Sequence, residues 1–543
     1  MFHIVMKALV FFAIFLHCVE CGKSPAHLCL DALLKSLGPN KVIIKNIPPI
    51  YNKVYENTIP RGMIFPSNGA DVVKSLNTCH EFGTTIAIRS NSGHSYVAQS
   101  TIDKSGVVIN LRNLSKFKIV SDANHPTVRV GGGMALLELY SRLAMNDPPL
   151  GLNGGTCPSV SVGGLISGGG EGMTSTFAGM TSDRVVAARA VVYVKEHERF
   201  EQIDAEDDLL FALRGGMGGN YGIVTEWTLR VFPVDKVVVY SFKTRPLVPK
   251  GSDQEALSVL FRTYTAWLRN PSTPVPLGSG NSVWGMIKFL SGGVMQMNGQ
   301  CKCATKCCTD CNAAIAYLKS ILDKTIVVKT VSEIQDFGEA MWSWAGCTDF
   351  GGVPAYPSGG LSGISEKKLQ SAMRACYKYD YENFRGPYKS KSLYMPDETV
   401  LDSSFESIGL GFVTLPICSI AKCYLQLSLV GGAMTIEHSN SAFVHRTPGF
   451  HLQMLVYWPN GMAEESFLDW TRAAREVMLP ISLNEAYQNY PDIDLDLPTW
   501  SDEYFPREGV FERLIQIKCK YNPTDIFNVP QALSLMIPQT CHS

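Results

Sequence analysis

The chain has 543 residues, of which 45% are hydrophobic and 18% charged, and its formal net charge is −1. That length sustains two or three domains with large cores. A charge so near balance lacks the electrostatic footprint of a nucleic-acid-binding protein, and no internal repeat or long low-complexity tract points to a solenoid or a disordered chain.

The first 21 residues, MFHIVMKALVFFAIFLHCVEC, place one lysine before the apolar run 8–16 and then small residues, with a cleavage site after Cys21. This is the pattern of a secretory signal, too short for a membrane anchor. No later segment is apolar for long enough to span a bilayer, so the expected location is the secretory pathway or outside the cell, with no membrane after signal removal.

Residues 28–37 read as a short helix. From Pro60 strands and helices alternate. DVVKSLNTCHEFG (71–83) is an amphipathic helix, and TTIAIRS (84–90) is a buried strand running into the loop RSNSGHSY (89–96). GVVINLRNL and TVRVGGG precede a helix over 134–144, and a strand over 185–194, a helix over 207–216 and a strand over 222–234 complete this part. Pro233 marks a domain boundary. Beyond it, KVVVYSFKT, SVWGMIKFL and FHLQMLVYW read as strands of an antiparallel sheet interrupted by helices. After Asp469 the chain turns helical, passes through AYQNYPDIDLD, and ends in a last helix and YNPTDIFNVPQAL.

Sixteen cysteines are present, five of them in CKCATKCCTDC (301–311). The CxC, CxxxCC and CxxC steps do not fit a standard zinc finger, and behind a secretory signal disulfides are the better reading, with no metal expected. If Cys18 and Cys21 leave with the signal and Cys157 is reserved for a ligand, an odd number remains, which implies one free or intermolecular thiol.

The densest chemistry lies in GLNGGTCPSVSVGGLISGGGEG (151–172), where the single Cys157 sits among glycines, together with the loop that holds His94. Glycine lets backbone N–H groups approach an anionic ligand closely, as a pyrophosphate requires. A nucleophilic side chain in each loop points to a tightly held, covalently attached nucleotide cofactor.

These loops resemble the berberine bridge enzyme-like branch of the FAD-linked oxidases (vanillyl-alcohol oxidase type). So do LRGGMGGNYGIVTEW (213–227), PYKSKSLYM (387–395), GGAMTIEHSNSAFVHR (431–446), YQNYPDIDL (487–495) and YNPTDIF (521–527). The likeness runs from about Cys29 to the end. It implies an α+β fold: a PCMH-type two-subdomain FAD-binding domain over 22–235, an antiparallel-sheet substrate domain over 236–475 with the Cys-rich insertion, and a segment 476–543 that returns to the FAD domain. It also implies a disulfide between Cys29 and Cys79. The cofactor it implies is FAD, bonded through His94 and Cys157. Further flavin contacts fall on Arg89, Ser90, Asn91, Ser92, Gly93, Ser95, Gly155, Gly163, Gly164, Gly168, Gly169, Gly222, Ile223 and Val224. Val160 matches the position that controls oxygen access, and a valine there favours an oxidase releasing hydrogen peroxide. The chain departs from the family at Ser92, at Ser161, and at Glu171, where an aromatic is usual.

Oxidation by a flavin needs a base for the substrate's proton. The resemblance offers Tyr490, with Tyr487 beside it, and a tyrosine needs a nearby cation or hydrogen bonds to become acidic enough. His451 and Gln453 share one face of a strand at positions that view the flavin in relatives, and a histidine there is chemically apt. A packed core tyrosine and a half-buried strand histidine are the bland alternatives. Lys389 and Lys391 read as structural. Asn113-Leu114-Ser115 is a glycosylation acceptor. The expected activity is hydride transfer from an alcohol, sugar or amine-type small molecule to FAD and on to O2. The rivals are a dehydrogenase with another acceptor and a silent flavin-fold binding protein that uses the Cys-rich insertion for interaction.

Overall fold

Ser24 accepts the His27 N–H and Pro25 takes the first helical turn, where its missing N–H costs nothing. The helix Pro25–Leu37 therefore starts three residues before the predicted 28 and stops at Gly38, whose φ is 86°. Asn68 caps the next helix, Gly69–Glu81, by accepting from Asp71. The Cys29–Cys79 disulfide joins the two. Their apolar faces share one core with a four-stranded sheet ordered Val42–Ile43, Met63–Ile64, Val107–Asn110, Ile86–Arg89. The last three strands are parallel. The computed structural model describes residues 23–120, 126–269, 283–304, 306–348, 353–402, 404–527 and 530–533; the expected signal over 1–21 lies outside them.

A second, five-stranded antiparallel sheet is ordered Phe117–Val120, Thr127–Gly131, Ile223–Arg230, Val185–Val194, Arg199–Asp204. The predicted strand over 222–234 divides here, because Phe232–Pro233 leaves the sheet to pair with Leu150–Gly151. The helix predicted to reach 216 spans Asp207–Leu213, and Gly215, at φ 96°, turns the chain beyond it.

The third layer is a seven-stranded sheet, antiparallel throughout: Val327–Asp336, Lys236–Thr244, Val294–Lys302, Val283–Leu290, Lys422–Val430, Gly449–Tyr457, Tyr388–Pro396. Alternation divides each strand between two buried faces. Leu452, Met454 and Val456 pack with helices Gly251–Arg269, Thr309–Ile321, Phe405–Val413 and Glu465–Met478 in one core. His451, Gln453 and Tyr457 occupy the opposite face, where His451 meets Glu171 and Gln453 meets Tyr96. The helix predicted after Asp469 begins earlier, at Glu465. The tail returns to the first sheet, where Ile86 N–H donates to Ile526 O at 2.8 Å beside an Ile86–Phe527 bridge.

In the Cys-rich insertion Cys301 pairs with Cys311 and Cys303 with Cys308, leaving Cys307 as an exposed thiol. It is the odd thiol that the cysteine count implies. Two bridges that spacing does not reveal, Cys347–Cys376 and Cys418–Cys423, pin segments of the third layer. Among the described residues no helix is long and apolar enough to cross a membrane.

Candidate functional site

The histidine and cysteine loops meet where the three layers converge. Strand Ile86–Arg89 delivers the first, and Gly93, at φ 80°, bends it so that His94 faces inward. Ser92 Oγ donates to Ser159 O at 2.8 Å and fastens one loop to the other. His94 Nε2 lies 2.7 Å from Ser159 Oγ, which in turn donates to Asp380 Oδ2 at 2.6 Å. The Tyr51 ring stacks on the imidazole at 3.7 Å. Cys157 is a free cysteine on the wall of the same cavity. Its side chain is exposed on that wall, yet desolvation by the surrounding protein and the Asp380 charge push the thiol up to about 12, against an opposing pull from Lys288.

The cavity is about 540 Å³, a size that suits a cofactor-scale ligand. Its wall includes Ser90, Asn91, Gly93, His94, Ser95, Gly155, Cys157, Val160, Gly163, Gly164, Gly222, Ile223 and Val224, all named from sequence. A nucleotide fits this wall in two respects. A Cβ on Gly164 would meet nothing within 4 Å, so bare backbone faces open space there; one on Gly163 would lie 2.6 Å from Ser90 Oγ, so only glycine lets that loop close against its neighbour. Met217, Gly218 and Gly219 add further main chain to the wall.

Six sequence-named residues do not line the cavity. Arg89 turns away, its guanidinium donating to Ser100 O at 3.0 Å and Pro48 O at 2.8 Å, and so braces the loop from behind. Ser92 is spent on the loop-to-loop bond. A Cβ on Gly168 would strike the Asn489 side chain, and one on Gly169 the Phe443 ring, so both glycines serve packing against later segments. Gln453 donates to Tyr96 Oη at 2.9 Å and Ser390 Oγ at 3.0 Å. His451 sits behind the wall, and its Nδ1 donates to Glu171 Oε2 at 2.8 Å.

The segment 487–490 supplies the opposite wall. Tyr487 Oη accepts from Gly170 N–H at 2.8 Å and from Asn489 Nδ2 at 3.0 Å. Tyr490 packs on Tyr96 at 4.8 Å and His451 at 5.1 Å. Burial, then Tyr96 and Glu171, push the Tyr490 hydroxyl well above its ordinary value. The rings packed around it are those of Tyr96, His451 and Tyr487. Lys389 and Lys391 are buried with Asp492, reach Asp494 at the solvent edge, and fasten this segment to the seven-stranded sheet. Asp380 and Lys288 reach the cavity from the third layer and carry no motif. Lys288 stands on the cavity-facing side of Val283–Leu290, where a charged residue in an apolar strand is the one signal sequence offers.

A glycine-walled cavity of this kind, between two flavin-type sheets and a substrate-type sheet, defines an FAD-binding oxidoreductase. Residues 60–194 match the family model "FAD binding domain" and residues 486–534 match "Berberine and berberine like". The chain is 26% identical to berberine bridge enzyme-like Cyn d 4 of Cynodon dactylon, over 93% of this chain and 92% of that protein. It is 26% identical to reticuline oxidase of Eschscholzia californica, over 90% and 86% respectively. The solved structure of Physcomitrella patens BBE-like 1 superposes with a TM-score of 0.73 at 22% identity, covering 93% of this chain and 98% of that one. These matches support a berberine bridge enzyme-like FAD-binding oxidase, with the α+β architecture that the sequence implies.

Proposed function

We propose that this protein is a secreted oxidase that holds FAD covalently through His94 and Cys157 and oxidises an alcohol, sugar or amine-type small molecule at the expense of O2. The observation that carries this reading is the convergence of the two candidate bonding side chains on one glycine-walled cavity from separate loops. With Nε2 committed to Ser159, Nδ1 is the ring nitrogen left for a bond. When bound, FAD supplies the two-electron acceptor. The chain's part is to bind, orient and deprotonate. Backbone N–H groups at Gly163, Gly164 and Gly218 suit the pyrophosphate, and Tyr96, Tyr388, Tyr457 and Tyr490 give the substrate an aromatic, hydroxyl-bearing wall. Two attachments hold the cofactor in a site open enough for a bulky substrate.

Val160 lies on the cavity wall, where a small side chain leaves oxygen a path. Disulfides throughout the third layer suit an oxidising compartment. Asn113 is exposed on a turn, as a glycan acceptor must be. The test is to express the full chain through a secretory host, denature it in acid, and ask whether the yellow colour stays with the protein. Screening the native protein against sugars, aromatic alcohols and alkaloids for peroxide release then defines the substrate. Loss of all flavin on denaturation would overturn covalent attachment; turnover only with an artificial acceptor would make it a dehydrogenase.

A further inference from the structure

The cavity wall beside Tyr487 and Tyr490 contains one carboxylate, Glu171, at the end of the glycine run 168–170. Its side chain is 10% exposed, and Oε2 takes the Nδ1 proton of His451 at 2.8 Å. Its other oxygen, Oε1, is buried with no hydrogen-bond partner among the described residues, and His451 Nε2 is likewise unpartnered. An unpaired carboxylate oxygen in a buried wall is expensive to keep unless something meets it there.

The histidine is held on every side. Tyr394 stacks on it at 4.9 Å, Tyr490 lies against its other face at 5.1 Å, and Tyr487 meets it edge-on at 5.1 Å. The titratable groups around the pair are those three tyrosines, Tyr96 and, beyond Tyr394, His445 with Glu485. No lysine or arginine contacts the pair among the described residues, so His451 Nδ1 is the side-chain donor that meets the carboxylate. The hydroxyls nearby are poorer proton acceptors. Burial pushes both Tyr487 and Tyr490 up, and the Tyr487 oxygen already accepts two hydrogen bonds.

We propose that Glu171, oriented by His451, is the proton acceptor of the oxidation, and that Tyr490 orients the substrate. The inference rests on the reading above. The substrate's O–H or N–H bond breaks and its proton passes to Glu171 Oε1. The pair left on the heteroatom forms the new C=O or C=N bond as the adjacent C–H hydrogen leaves with two electrons for FAD, which O2 reoxidises. His451 acts through Glu171 and is a positioning residue. Its place was visible in the sequence, but its partner was not, because Glu171 lies 280 positions away.

The test uses the full-length, FAD-loaded protein and its Glu171→Gln, His451→Asn and Tyr490→Phe forms. Cellobiose and benzyl alcohol serve as probes in anaerobic flavin reduction over a range of pH. Glu171→Gln keeps size and hydrogen bonding, so flavin content and absorption should match wild type while reduction slows by about 10²–10⁴-fold, the range for a lost general base. His451→Asn should slow reduction less and displace the acid limb of the rate profile; Tyr490→Phe should raise KM more than it lowers kcat. A second readout needs no turnover: the infrared difference spectrum should lose the Glu171 carboxyl contribution in Glu171→Gln and show it altered in His451→Asn. Reduction by Glu171→Gln at the wild-type rate would overturn the proposal, as would a spectrum unchanged by that substitution. Protein purified without flavin would instead defeat the underlying reading, so the two failures are distinct.

Discussion

Replacing Lys391 by methionine tests whether a buried charge cluster holds the segment 487–495 in place. Lys391 Nζ lies 2.5 Å from Asp492 Oδ2 and 2.6 Å from Asp494 Oδ2, and Lys389 Nζ lies 2.6 Å from Asp492 Oδ1. Lys391, Asp492 and Lys389 have side chains only 2%, 3% and 7% exposed. Methionine keeps the volume and removes the charge, leaving Asp492 with Lys389 and Asp494 with Lys389 and Arg472. Breaking a buried pair from one side costs about 3–5 kcal/mol, and the remaining lysine should keep this case near 3 kcal/mol. Asp494 adds a pH signature. Burial pushes its carboxyl up, but the Lys391 hydrogen bond and the charges of Lys389 and Lys391 outweigh that and hold it at about 2, against an ordinary 3.8. Asp494 is exposed to solvent, and screening leaves the drop worth about 1 kcal/mol. A folded carboxyl that is the more acidic stabilises the protein fully above about pH 4 and loses that contribution as the pH falls to about 2. Guanidinium unfolding of the flavin-loaded protein, followed by tryptophan fluorescence at several pH values, measures both terms. Lys391→Met should be less stable at neutral pH and should show a shallower loss in acid, and adding Asp492→Asn should restore part of the difference. A neutral-pH change below about 1 kcal/mol with an unaltered acid limb would refute the reasoning.

Denatured wild type should retain its flavin, either single substitution of His94 or Cys157 by alanine should leave one link, and the double substitution should release the cofactor; fluorescence of the protein band on a denaturing gel reads all four. Val160→Leu should slow reoxidation by air while anaerobic reduction stays nearly intact, a difference that stopped-flow absorbance separates. Removing the Cys29–Cys79 bridge, which closes a separation of 50 residues, should cost about 4 kcal/mol on the chain-entropy model, measured by unfolding of the double alanine form against wild type.

Glu171 shows how far the site could be read in advance. As a residue it stands out, a charge at the end of a glycine run where the family carries an aromatic, yet by itself it signals only altered electrostatics. The strand Gly449–Tyr457 makes His451 and Gln453 legible as a pair on one face, but not that one would sit behind the cavity wall and the other bond Tyr96. Arg89 and Gly168 show the reverse: inside a ligand-binding motif, their side chain and missing side chain serve the loop's own packing.

Local rules were enough for much of the rest. Capping residues, apolar periodicity and turn glycines act over a few positions, so the helices after Ser24 and Asn68 and the strand Val185–Val194 follow from the residues themselves. The glycine-dense loops likewise announce close backbone approach, and their order along the chain carries the family likeness. Only the tertiary structure decided which distant residues meet. Asp380 reaches His94 through Ser159, Lys391 reaches Asp492, and His451 reaches Glu171, each across 100 or more positions. Such contacts depend on how three sheets stack and which face each strand turns inward, and no spacing along a single chain encodes that sum.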